Sequence, residues 1–112
     1  MQKILKLFKE SGIIKEHTIL EYKSNSSAQY LKVKIELKNG DFLHLKEYIS
    51  SPEHLYSYHW QKPNGDLTIK WDNSPHHKHI STFPHHKHCP DLEESYETTF
   101  KVVLEVITKN LV

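Results

Sequence analysis

Two copies of Pro-His-His-Lys-His, at residues 75–79 and 84–88, start nine residues apart and place six histidines within thirteen residues. Histidine is the one side chain whose ordinary pKa lies near neutrality, so it can move protons or, when neutral, ligate a metal. The candidate groups are His76, His77, His79, His85, His86, Lys87 and His88, and residues 71–89 become the segment to explain. Acid–base catalysis without a metal needs a base to take a proton, an acid to return one and a cation to hold the charge that develops. Two imidazoles and a lysine meet that need.

Metal binding is the rival chemistry, because neutral imidazoles and Cys89 suit zinc, nickel or copper. The spacing argues against it. No Cys-x-x-Cys is present, and adjacent His-His pairs seldom both reach one ion.

The elements that must position these groups are legible in the alternation of residue types. Ile4, Leu5 and Phe8 share one side of a helix that Gly12 is placed to end. Residues 17–23 form a predicted strand, closed by Ser24-Asn25-Ser26-Ser27. In residues 29–38, Leu31, Val33, Ile35 and Leu37 alternate with Lys32, Lys34, Glu36 and Lys38. A strand over 42–49 follows the hairpin signal Asn39-Gly40. Adding Asp41 to that turn pairs Leu37 with Leu43 and Ile35 with Leu45, which keeps apolar residues on one face.

A second hairpin joins 54–62 to 66–72 around Asn64-Gly65. A two-residue turn there sets Tyr58 beside Trp71 and Trp60 beside Ile69, an aromatic stripe for the core. The other face then opposes His59 to Lys70 and Ser57 to Asp72. His17, His44 and His54 read as surface strand or turn residues, whereas His59 has company suited to chemistry. Asp72-Asn73 serves either as a turn that starts the loop or to orient an imidazole. Lys32, Lys34, Lys38 and Lys46 read as a solvated face, or as a basic track if they share the open side with His44, His59 and Lys70.

Residues 73–91 read as a long loop, of the length that is usually functional. A last helix is expected from near Leu92, with Tyr96, Phe100, Val103, Leu104, Ile107 and Leu111 on its apolar face. Asp91, Glu93 and Glu94 suit the positive end of that helix.

The chain has 112 residues, 37% apolar and 26% charged, with a formal charge of +1. That is one domain, 1–112, with ordinary globular composition. Near-neutral charge does not announce a nucleic-acid binder. The lysine-interrupted start is no secretory signal, no apolar run could span a membrane, and one cysteine fits a reducing interior. The expected location is the cytoplasm.

The segments Tyr56-Ser57-Tyr58-His59-Trp60-Gln61, Lys70-Trp71-Asp72-Asn73-Ser74-Pro75-His76-His77 and Thr82-Phe83-Pro84-His85-His86-Lys87-His88 resemble the TumE family of toxins. Those are the toxin halves of toxin–antitoxin pairs. The resemblance implies a growth inhibitor neutralised by a cognate antitoxin, and it does not fix the reaction.

The expected fold is α+β: an N-terminal helix, an antiparallel meander of about five strands and a C-terminal helix packed on the sheet, loosely similar to RelE-like ribonuclease toxins. The expected activity is metal-independent RNA cleavage by His59, Lys70, Asp72, His76, His77, His85, His86, Lys87 and His88. The alternatives are a non-enzymatic inhibitor or binding module acting through the histidine loop, and a metal-dependent nuclease with zinc, nickel or another divalent ion. No cofactor is otherwise expected. The expected partners are an antitoxin and RNA, with no membrane, in a homodimer or a toxin–antitoxin hetero-oligomer.

Overall fold

A computed structural model describes residues 2–50, 53–73, 86–88, 92–94 and 99–111. The order is α1 (Gln2–Glu10), β1 (Ile14–Ser24), β2 (Ala28–Leu37), β3 (Phe42–Ser50), β4 (His54–Gln61), β5 (Leu67–Asp72), β6 (His86–His88), β7 (Leu92–Glu94) and α2 (Phe100–Leu111). Among these residues the strands form a single antiparallel sheet in sequence order, β1 to β7.

The α+β architecture is the expected one, and its first five strands match those read from alternation. Two short strands are additional. β6 arises inside the stretch read as loop, and β7 occupies the expected start of the last helix. That helix begins instead at Phe100, with Thr99 as its cap: the Thr99 hydroxyl accepts from Val102 N–H at 3.4 Å. Glu93 and Glu94 therefore lie in a strand and do not complement the helix end.

Both tight hairpins use the same device. Lys38-Asn39-Gly40 and Pro63-Asn64-Gly65 are three-residue loops, closed by Gly40 N–H to Leu37 O at 3.0 Å and Gly65 N–H to Lys62 O at 2.9 Å. Both glycines have φ of 96°, a region that side chains with a Cβ avoid. In each, the asparagine Oδ1 accepts from the backbone of the aspartate two residues on.

The first turn uses 38–40 where 39–41 was expected, so Ile35 pairs with Leu43 and Val33 with Leu45. The register is displaced by two residues, an even number, and every side chain keeps its face. In the second hairpin the expected pairs Tyr58–Trp71, His59–Lys70 and Trp60–Ile69 are all present. They survive a turn one residue longer than expected because an irregularity between Trp60 and Gln61 absorbs the extra residue.

One face of the sheet is covered. Val33, Ile35, Leu37, Leu43, Leu45 and Tyr58 are buried beneath Ile4 and Phe8 of α1 and Phe100, Val103, Leu104 and Ile107 of α2. Phe8 meets Phe100 edge to face at 5.5 Å, which joins the two helices. The Tyr58 hydroxyl donates to the buried Glu47 carboxylate and accepts from the Phe100 backbone N–H. Burial, then the Glu47 charge, pushes the Tyr58 phenol far above its ordinary pKa. The opposite face carries the polar half of each alternation.

Candidate functional site

Strand register assembles the polar face into transverse rows. Lys34 pairs with His44, His44 with His59, His59 with Lys70, and Lys70 with His88. This single row crosses β2 to β6. Two residues along, Lys32 pairs with Lys46, Lys46 with Ser57, Ser57 with Asp72, and Asp72 with His86. His86 and His88 are placed in these rows by backbone pairing alone.

The His44 and His59 rings stand 5.9 Å apart, nearly perpendicular at 71°. Both are half-buried, and partial burial is the main reason both imidazoles have lowered pKa values. For His44 the Lys34 and Lys32 charges add to that effect. For His59 the His44 ring and Lys70 add to it, and a hydrogen bond with Gln61 opposes it. Each imidazole is therefore biased toward its neutral form, the form that accepts a proton.

Lys70 Nζ lies 3.8 Å from Asp72 Oδ2. The Asp72 side chain is 5% exposed and that of Lys70 37%, so the carboxylate anchors a cation whose upper surface reaches solvent. Lys34 Nζ sits 4.8 Å above the Phe42 ring, which holds it at the end of the histidine row. A bowl of about 210 Å³ opens on this face, lined by Lys32, His44, Lys46, Ser57, His59 and Lys70 among others.

Of the residues expected to act, His59, Lys70 and Asp72 come together as the alternation required. His76, His77 and His85 lie outside the described residues, as does His79. Lys87 pairs with Trp71, a core residue, so alternation sets it on the helix side of the sheet and not beside Lys70. Of the expected basic track, Lys32, Lys34 and Lys46 are on the open face, while Lys38 belongs to the turn. Tyr58, Trp60 and Trp71 are buried on the helix side, where the aromatic stripe was expected.

His44 is expected on the open face but not among the residues that act. Taken alone it reads as a surface residue, and its partner becomes visible only through the β3–β4 register. The signal is present in parity, since His44 shares a face with Lys34 and Lys46, but no Asn-Gly turn fixes that hairpin.

The Asn73 side chain reaches across to β4. Its Oδ1 accepts from Tyr56 N–H at 2.9 Å and its Nδ2 donates to His54 O at 2.7 Å, seventeen and nineteen residues away. These bonds clamp the end of β5 to the start of β4 in a buried position. Asn73→Ala is expected to cost about 2–4 kcal/mol, since two backbone groups lose buried partners. Urea unfolding measures it, and a loss below about 0.5 kcal/mol would show that water replaces the side chain.

Among the described residues no three His, Cys, Asp or Glu side chains are grouped to hold a metal ion, and no helix is long and apolar enough to cross a membrane. Comparison with known proteins gives one finding: a family model described as Toxin TumE matches residues 4–111. No curated protein and no solved structure matches the chain.

Proposed function

The chain belongs to the TumE toxin family, and from that premise we propose that it is a metal-independent endoribonuclease acting from the open face of its sheet. One observation carries this reading. The row Lys34–His44–His59–Lys70 sets two near-neutral imidazoles side by side between cations, with a bowl in front of them.

Rings 5.9 Å apart can address opposite sides of one phosphodiester. One imidazole takes the 2′-hydroxyl proton as that oxygen attacks phosphorus. The other, protonated, gives its proton to the 5′-oxygen as the P–O5′ bond breaks, leaving a 2′,3′-cyclic phosphate and a free 5′-hydroxyl. Lys70, anchored by Asp72, balances the charge that builds on the phosphoryl oxygens. His86 and His88 hold neighbouring register positions, which supports a part for the histidine segment at the same site. A cognate antitoxin is the protein partner, and the cytoplasm is the compartment where both would meet RNA.

The test is cleavage of a mixed-sequence RNA by the purified chain in excess EDTA, beside its His44→Ala/His59→Ala variant. Cleavage that persists in EDTA and disappears in the variant is expected. Activity that stops in EDTA and returns with one divalent ion would replace this reading with a metal-dependent nuclease. Toxicity without any cleavage would favour a binding module acting through the histidine segment.

A further inference from the structure

Lys32 and Lys46 are direct cross-strand partners on the open face. Like charges set opposite each other destabilise a sheet, so this pair is a cost to the fold unless an anion lies between them. The next position in the row, on β4, is Ser57. Its short side chain leaves the floor of the bowl open and offers a hydroxyl. On the β1 side the rim is Leu20, which an irregularity between Ile19 and Glu21 sets into the strand; it is 52% exposed. Glu21, the acid opposite Lys32 on β1, lies 3.1 Å from Lys23.

We propose that Lys32, Lys46 and Ser57 form a subsite for the phosphate next to the scissile one, so that single-stranded RNA runs along β3 and β4 from the histidine row to the lysine row. This rests on the ribonuclease reading and extends it. The rows lie two residues apart, about 7 Å along a strand, the span of one nucleotide in an extended backbone. The two ammonium groups and the hydroxyl are all donors, and a phosphodiester offers only acceptors in return. The bowl reaches both rows, so one strand can occupy them together.

The test measures binding apart from cleavage. A fluorescent single-stranded RNA oligomer is titrated against the His44→Ala/His59→Ala chain, with and without Lys32→Ala/Lys46→Ala, across a range of salt. Lys109→Ala, on the far side in α2, serves as the control. The lysine pair variant is expected to bind about tenfold more weakly at low salt, with the slope of log K against log salt reduced by about 0.7 for each phosphate left without its lysine. Its unfolding midpoint should hold or rise, because a repulsion has been removed.

An unchanged affinity overturns the subsite, even if the wild-type chain cleaves RNA. So does weaker binding with an unchanged slope, since the same number of phosphates is then still neutralised. RNA binding that weakens as expected in a chain whose wild type cleaves nothing keeps a phosphate site at Lys32 and Lys46 and removes the ribonuclease reading, and with it the scissile position. No RNA binding by the parent removes both.

Discussion

Replacing His59 with alanine is expected to lower RNA cleavage by about 10²- to 10⁴-fold, the range for losing a general acid or base. His44→Ala should cost a similar factor. The double variant should be far less than multiplicatively worse, because each imidazole is useless without the other. The pH profile gives an independent sign. The reaction needs one neutral and one protonated imidazole, and both rings have pKa values below the ordinary 6.5.

The maximum of kcat/KM, which reports the free enzyme, must therefore fall on the acid side of 6.5. Bound phosphodiester favours the imidazolium form, so the kcat maximum should lie at higher pH than that of kcat/KM. Burial first, and then the Lys34, Lys32 and Lys70 charges, hold the profile low. Removing Lys34 should raise the His44 pKa and move upward the limb of the profile that His44 governs. A kcat/KM optimum above pH 7, unchanged by His44→Ala, would sink the paired-imidazole assignment.

Phe100→Ala should be the most damaging single change to the fold, at about 3–5 kcal/mol. Phe100 is 2% exposed at the first turn of α2. It touches Phe8 of α1 and stands 6.2 Å from Tyr58 of the sheet, so one ring joins all three parts of the core. A domain of this size has about 5–15 kcal/mol in total. Urea or thermal unfolding of the variant should show a large fall in midpoint, while Phe100→Leu, which keeps most of the volume, should fall less. A loss under about 1 kcal/mol would mean that α2 is held mainly by Val103, Leu104 and Ile107.

Alternation and turn chemistry carry most of the fold. The stretch Leu31–Leu37 shows its buried side at once, because Lys, Leu, Val and Ile alternate without a break. The aromatic stripe on β4 is legible for the same reason, and it brings the His59–Lys70 pair with it. Where the turn is ambiguous, parity protects the result: the first hairpin moves by two residues and no face changes.

Short strands leave no such signal. His86–His88 and Leu92–Glu94 are three residues each, too brief for a period to show, and histidine-rich sequence has no strand signature. The acids at Glu93 and Glu94 imitate a helix start that Thr99 provides instead. His44 is hidden differently. Its partner lies across a turn closed by Ser50 N–H to Glu53 O at 2.7 Å, with no Asn-Gly or Asp-Gly to set the count.

Among the described residues every strand pairs only with its neighbours in sequence, from β1 through to β7. During synthesis, then, each strand from β1 to β5 finds its partner soon after it emerges, over short loops that are cheap to close. The apolar side of the sheet has no such local solution. Phe8 waits beside strands already paired until Phe100 arrives, ninety-two positions later. The nascent chain accordingly carries a formed polar face, with His44 and His59 on it, while its greasy side stays uncovered. That interval ends when α2 closes the core.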